Sequence, residues 1–459
     1  MTRAPGHYLS EATMELTRHA DAVERLLKGR QIDGYEIAVS GSRDLAIEVK
    51  QGKVDAFRVA EPLGISLRLL VGQGMGFSYS TALDDAALES MVQGALVAAR
   101  VQTPDEHFTF AQAAASYPDT PWLFDPSLAS VDESVKVARA LELERLVLAV
   151  DPRVKRVRKC SYGESTYHSL VRNSLGLSAA YSGTYNSCSV SAVAEADGDA
   201  QTGWDYGFSP SFAGIDLAAV ASGAGRKATG LLGARTLATM RCQAVLDNRV
   251  AADLLDVLSG SFLAENVHKG KSLLAGRVGE RLFSGLVSVR DNGLLPGGLG
   301  SAPCDGEGVP QQDTALVQGG VLQGFLYDSY WGGRLGARST GNAVRSSIKT
   351  PPKVGPHNLH VEPGTADLAT LLTGVRKGVM ITEVMGMHTA NPISGDFSVG
   401  AAGFYVEDGE IRYPVKGLAL AGNLLEMFAR VDQVGSDLRF FGSTGSPSLR
   451  IAELDISGT

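Results

Sequence analysis

The chain has 459 residues, 44% hydrophobic and 20% charged, with a formal net charge of −8 at pH 7. That length predicts at least two domains, each with its own core, and the mild acidity excludes nucleic acid and an anionic membrane as expected partners. No run approaches the roughly 20 apolar residues that span a bilayer, the first residues lack a signal-peptide core, and four scattered cysteines without C-x-x-C suit a reducing compartment; a cytoplasmic location is expected.

A first helix is predicted over 11–28, where Leu16, Ala20, Val23 and Leu27 form one stripe that Gly29 ends. Strands follow over 35–80, with a hairpin at Gln51-Gly52, and then a helix over 84–100 with Leu88, Met91, Val92, Ala95 and Ala99 inward. Residues 102–122 are polar and Pro-bearing and read as a connection. Ser130-x-x-Glu133 reads as a capping box opening a third helix that runs to about Val150. Strand patterns fill 154–195, and 208–228 read as a loop with a short helical stretch.

A second domain is predicted from about Leu237, with helices over 248–266 and 367–377. Asp408-Gly409 and Gly319-Gly320, each between apolar alternations, signal tight hairpins. Helices grouped with hairpins, rather than alternating βαβ units, predict an α+β class with two domains, 1–235 and 236–459.

Several motifs carry no chemistry on inspection. Lys269-Gly270-Lys271-Ser272 lacks the first Gly of a phosphate loop, and Gly72-x-Gly74-x-Gly76 is not G-x-G-x-x-G. No G-x-S-x-G elbow occurs. The run Arg153, Lys155, Arg156, Arg158, Lys159 alternates with Val154 and Val157 as a half-buried strand with a solvated face. His357 and His360, in a Pro-bounded extended segment, point to opposite sides and read as surface or interface histidines rather than a metal pair.

The densest information lies in residues 381–423, where ITEVMG, GDFS and GAAGFYVEDGEIRYPV precede LAGN. With GLGSAP at 298–303, residues 305–309 and STGN at 339–342, this run resembles the TldD/PmbA family over most of the chain. The resemblance implies a two-domain fold with hairpin-rich antiparallel sheets and flanking helices. It also implies one of two subunit types. TldD-type members carry H-E-x-x-x-H, a zinc-binding pair of imidazoles with a Glu as general base; PmbA (TldE)-type members lack it and pair with a TldD-type subunit to make a peptidase.

This sequence has no His-Glu dipeptide. Residues 248–266, where the motif would fall, offer Asp253, Asp256 and Glu265 but no imidazole, and 441–446, where the TldD type has a Cys, read FGSTGS. The resemblance therefore implies a PmbA-type subunit with no metal of its own, zinc being expected in a TldD-type partner, and unfolded peptides such as peptide-antibiotic precursors or antitoxin-like proteins as substrates. Glu383, His388 and Asp396 are the candidate catalytic residues of a rival reading, a self-sufficient homodimeric hydrolase; a peptide-binding protein without catalysis is a third. Gly395, Asp396, Phe397, Gly400, Ala401, Ala402, Gly403 and Phe404 are the candidate peptide-binding or interface residues, because an exposed sheet edge there would take up an extended peptide as an added strand.

Overall fold

The computed structural model describes residues 5–458. The fold is mixed α+β, built mainly from antiparallel sheets, and it divides into two compact units that are not consecutive halves. The first holds Met1–Thr229 together with Ala302–Gln311 and Asp328–Lys353; the second holds Gly230–Ser301, Gln312–Tyr327 and Val354–Thr459. A single cut at 235 leaves out the two later segments that return to the first unit.

In the first unit α1 (Pro5–Leu27) leads into β1 (Gly34–Lys50), β2 (Lys53–Ala60), β3 (Leu63–Val71) and β4 (Gly74–Ser80). Then come α2 (Asp85–Val101), α3 (Glu133–Leu148), the strands β5 (Val154–Asn173), β6 (Ser178–Ala196) and β7 (Asp199–Ser209), and α4 (Leu217–Gly230). The strands make one antiparallel sheet in the order β4-β3-β1-β5-β6-β7, with β2 paired to the far half of β1.

Alternation along each strand sends successive side chains to opposite faces, and the four helices all take the same face. Ile37 and Val39 of β1 and Leu170 of β5 share a core with Leu16, Ala20, Val23 and Leu27 of α1 and with Leu88, Met91 and Val92 of α2. On that face of β5, Cys160 and Glu164 bond to Ala140 and Lys136 of α3. Glycine lets the helices come close: a Cβ on Gly74 or Gly76 would meet a carbonyl oxygen of α2 at 2.1 or 2.0 Å, and one on Gly203 would meet the Ala224 oxygen of α4 at 2.1 Å.

The opposite face holds the returning segments through charge. Arg68 on β3 donates to Glu36 on β1 and to Glu307 on the returning loop, the latter at 2.9 Å, while Arg345 donates to Glu36 at 2.6 Å and to the Gly306 carbonyl. Glu36 and Glu307 are almost wholly buried. Burial pushes the Glu36 carboxyl up, but Arg68 and Arg345 more than offset this and leave it below its ordinary value. Asp305 organises the loop by accepting from the N–H groups of Glu307, Val309 and Ala343. Burial, and then the charge of Glu307, push its carboxyl up to about 8 against those donors.

The second unit contains β8 (Met240–Leu246), α5 (Asn248–Ser259), α6 (Ala264–His268), β9 (Val289–Asn292), β10 (Asp313–Gln318), β11 (Val321–Leu322), β12 (Leu359–Val361) and α7 (Leu368–Thr373). It continues with β13 (Lys377–Met385), β14 (Asp396–Glu407), β15 (Glu410–Asn423), α8 (Leu424–Ala429), β16 (Val431–Val434), β17 (Arg439–Phe441), β18 (Thr444–Ser446) and β19 (Leu449–Ser457). One sheet runs β11-β10-β9-β12-β18-β17. The other runs β15-β14-β13-β8-β19 and closes on itself, because β15 also pairs with β19 at Ala419–Ser457, Leu420–Ile456 and Ala421–Asp455.

The elements differ from expectation where local signals compete. Ser130 bonds back to the Ser127 carbonyl, and α3 is capped by Asp132, whose carboxylate accepts from the N–H of Ser134. The loop with a short helical stretch expected over 208–228 contains helix α4, longer than expected, and the strand β7 precedes it. The helix expected over 248–266 stops at Ser259 and restarts at Ala264 after a tight turn, with His268 inside the second piece. The helix over 367–377 is only α7, capped by Asp367. The hairpin turns hold as read, with positive φ at Gln51-Gly52, Gly319-Gly320 and Asp408-Gly409.

Removing one charge from the buried cluster leaves its partners uncompensated, so Glu36→Gln should cost about 3–5 kcal/mol of first-unit stability. Because the folded carboxyl titrates below its unfolded value of about 4.3, the benefit of Glu36 is present above that pH and fades as pH falls through the folded value. Denaturant unfolding at pH 7 and below pH 4 should show a large gap between wild type and variant that narrows in acid.

Candidate functional site

The signature run 381–423 folds into β13, the turn Met387–Thr389, β14 and β15. Its middle strand is flanked on both sides over part of its length. β14 pairs with β13 from Lys377–Glu407 to Met385–Gly400 and with β15 from Asp396–Asn423 to Glu407–Glu410. From Gly400 to Glu407 strand addition therefore has no unpaired edge to use, while Asp396–Val399 pair in a ladder on one side only. Gly395, Phe397, Ala401, Ala402 and Gly403 are buried, while Gly400 and Phe404 are partly so and Asp396 is exposed. Gly403 exists for packing between strands: a Cβ there would meet the Met380 carbonyl oxygen at 1.9 Å, whereas one on Gly400 meets only ordinary contacts at 3.5 Å.

The three candidate catalytic residues form no metal-holding group. Among the described residues no three His, Cys, Asp or Glu side chains gather closely enough to hold a metal ion. Asp396 accepts from the Asn423 amide at 3.0 Å, which with Ser394 holds its carboxyl below the ordinary range. His388 is exposed on the tight turn, and Glu383 sits half-buried on β13 just past a bulge. His357 and His360 are both buried rather than on the surface. The Asp291 carboxylate accepts from the N–H groups of His357 and Asn358, and the His360 ring lies 5.4 Å from that of Phe440, so this segment is structural.

What the structure does bring together is α5, the β17–β18 hairpin and the His388 turn. Helix α5 packs against β17, β18, β12 and β13 and against Met387–Thr389. Asp247 caps it by accepting from the N–H of Arg249, and its own N–H donates to the Ile381 carbonyl, which ties the helix start to the signature strand. The Thr444 hydroxyl donates to Asp256 at 2.9 Å. Arg249 donates to both Asp253 oxygens at 3.0 and 3.1 Å and lies 4.9 Å from the Phe441 ring centroid, with Arg439 at 5.3 Å from the same ring. Burial pushes the Asp253 carboxyl up; Arg249 pulls the other way and Asp256 adds to the rise.

The juncture of α5 with 441–446 is where the resemblance places the zinc motif and the C-terminal Cys. The side chains found there do not fit zinc: two carboxylates already engaged by Arg249 and Thr444 stand in place of imidazole and thiolate donors. Sequence reading found the helix and the loop separately but missed Arg249 and Thr444 as functional partners. The Arg249–Asp253 spacing of four on a helix was a readable signal; Asp256 and Thr444 lie 188 residues apart and carried none.

Comparison with known proteins matches three segments in chain order to PmbA/TldA metallopeptidase domains: domain 1 over 35–99, the central domain over 126–232 and the C-terminal domain over 239–458. The chain belongs to the TldD/PmbA family. It is 29% identical to the metalloprotease PmbA of Escherichia coli O157:H7 over 98% of this chain and 97% of that one. It is 25% identical to a metalloprotease TldD homologue of Haemophilus influenzae over 95% of each. In structure it resembles a proposed DNA gyrase modulator from Thermotoga maritima, with TM-score 0.88, 26% identity and 96% of this chain and 100% of that one covered. The fold of TldE from Thermococcus kodakarensis matches with TM-score 0.87 at 23% identity, over 95% and 100%.

The packing of the signature run separates two glycines that look alike in sequence. Gly403→Ala should lower stability by about 1–3 kcal/mol through overpacking, while Gly400→Ala should be near neutral; thermal melts of the two variants would settle it, and equal effects would refute the placement of Gly403.

Proposed function

We propose that this chain acts as a PmbA/TldE-type subunit of a TldD/TldE-type peptidase complex on unfolded peptides, with the catalytic zinc carried by a TldD-type partner. The observation that supports the reading is the juncture of α5 with the β17–β18 hairpin, where Asp253, Asp256, Arg249 and Thr444 satisfy one another and leave no donor set suited to zinc. Full-length similarity to a relative named metalloprotease PmbA supports the same subunit type. Among the described residues no helix is long and apolar enough to cross a membrane, which suits a complex that meets its peptides in solution.

In this reading Gly400–Phe404 serve the chain as a rigid scaffold, since that part of the strand is paired on both sides. The rival, a self-sufficient hydrolase, needs Glu383, His388 and Asp396 to converge, and no metal-holding group forms around them among the described residues.

The purified chain should bind no stoichiometric zinc and cleave no unfolded polypeptide. Mixed with a TldD-type protein from the same cell, it should support chelator-sensitive cleavage, and His388→Ala should leave that cleavage and partner binding within about twofold of wild type. Zinc-dependent turnover by the chain alone, abolished by His388→Ala, would sink the proposal in favour of the rival.

A further inference from the structure

The returning segments meet the open face of the first sheet at Glu36, Ser66 and Arg68. Farther along the same strands the cross-strand rows read differently. One row runs Arg58, Ala46, Gly163, Ser187, Phe208, from β2 through β1, β5 and β6 to β7. The next runs Ala56, Glu48, Ser161, Ser189, Tyr206, and a third joins Lys159, Ser191 and Trp204. Partners across a ladder share a face. Here it is the face away from the helices, because the alternate residues Cys160 and Glu164 meet α3 and Gly203 meets α4. Apart from Glu48 and Lys159, the three middle strands contribute only Ala, Gly and Ser to these rows, and the large side chains stand at the two sides. Among the described residues nothing lies over this floor at Gly163, where an added Cβ would meet nothing nearer than the Ser187 hydroxyl at 3.3 Å.

The two sides of this trough differ in chemistry. On β7, Trp204, Tyr206 and Phe208 form a continuous stack with ring centroids 5.0 and 6.2 Å apart, and Trp204 is 41% exposed. On the other side Lys50 pairs with Lys53 at the end of the β1–β2 hairpin, and Arg58 stands farther along β2. Among the described residues none of these three cations has an ion-pair partner, whereas Lys159 is held by Glu48 at 3.6 Å and Arg156 by Glu195 at 3.1 Å. The acids of β1 and β2 in this half are Glu48, Asp55 at a bulge, and Asp44, which accepts from the Ser165 hydroxyl at 2.6 Å. In a chain of net charge −8 such a row of unanswered cations calls for a partner of the opposite sign. Four strand spacings, about 19 Å, separate the backbones of β2 and β7, which leaves room for one polypeptide segment between the walls.

We propose that this trough binds an acidic, unstructured polypeptide segment. Its backbone lies on the hydroxyl floor, its carboxylates meet Lys50, Lys53 and Arg58, and its apolar side chains rest against the Trp204 stack. Rigid aromatic rings beside small hydroxyl-bearing residues are the composition that polypeptide-binding surfaces use, and the three cations select carboxylate-bearing peptides among them. A nucleic acid fits worse, because Glu48 and Asp44 stand on the floor where a uniform polyphosphate would pass. The proposal rests on the reading of the chain as one that meets unfolded peptides, and deepens it by giving those peptides a charge. Binding to the chain alone is measured without cleavage, so the two readings can fail separately.

The test is fluorescence anisotropy of a labelled, unstructured peptide that alternates Glu with Ser, Gly and Tyr, titrated with the full chain, with circular dichroism as a check on folding. Binding should saturate, weaken as salt rises, and vanish for the counterpart with Lys in place of Glu. The triple reversal Lys50→Glu/Lys53→Glu/Arg58→Glu should weaken it by about tenfold or more, and Trp204→Ala should weaken it while leaving its salt dependence unchanged. Reversing three exposed cations elsewhere, Lys28→Glu/Arg100→Glu/Lys271→Glu, makes the same change in net charge and should leave affinity within about twofold. No binding by folded wild type would overturn the proposal, as would equal losses in the two triple variants, an unchanged affinity in Trp204→Ala, or a preference for an oligothymidylate over the acidic peptide. Cleavage by the chain mixed with a TldD-type protein is read separately. Cleavage without acidic-peptide binding refutes the trough and leaves the peptidase reading standing, and binding without cleavage does the reverse.

Discussion

Closure of the second unit's sheet governs how the rest of that unit can be used. Once β15 pairs with β19 as well as with β14, every strand of the ring has a neighbour on each side over part of its length, and the middle of the signature run, Gly400–Glu407, is paired on both. The cost of such a ring is crowding between adjacent backbones, and Gly403 against Met380 is where that crowding is met. Glycine in this run thus records a packing demand. The polar residues beside it, Asp396 with Asn423 above all, record the same demand at the strand ends, where a carboxylate and an amide fix the turn at Gly395.

The first unit solves a different problem. Its sheet is covered on one face by helices through apolar contacts, but its other face receives chain segments that arrive from far along the sequence. Apolar contact helps hold them, with Cys304 and Val309 against Ala38, Val171 and Ala179. The register of the returning loop, however, is set by charge, since Glu307 must reach Arg68 and the Gly306 carbonyl must meet Arg345. A buried charged cluster adds little net stability compared with well-packed hydrocarbon, but it tolerates few alternative arrangements. That is the property a loop returning across more than two hundred residues requires.

Much of this architecture was legible in the sequence because it rests on local chemistry. The stripe Leu16, Ala20, Val23, Leu27 gave α1, and Asp408-Gly409 gave a hairpin whose φ values are both positive. Reading failed where two local signals competed or where the decisive partner was remote. Ser130 and Asp132 are both good caps, and the extended backbone at Asp132 decided between them. The interruption of the helix near Gly260 goes with Asn266, whose amide donates to the Gly260 carbonyl and stabilises a turn within an otherwise helical pattern. His357 and His360 looked like surface residues because prolines surround them; their burial comes from Asp291, some 66 residues earlier. The pairing of Asp256 with Thr444 is invisible in the sequence for the same reason, since 188 residues separate them.

That last pairing bears on the proposed reading of the chain as a subunit without a zinc site of its own. Where a structural or catalytic ion joins a helix to a distant loop, the ligands repel or stay unsatisfied until the ion arrives, and folding of the juncture is coupled to metal. Here the same two elements are joined by a hydroxyl-to-carboxylate hydrogen bond at Asp256, a guanidinium held by Asp253, and that guanidinium stacked on Phe441. Each group answers another within the chain, so the juncture closes with no ion and α5 keeps its place beside β13. Such a set can bind and orient polar groups, but it lacks the soft or nitrogen donors needed to hold a zinc ion and activate water on it. On the proposed reading, ligands at this juncture are exchanged for partners, and the work left to this chain is positioning.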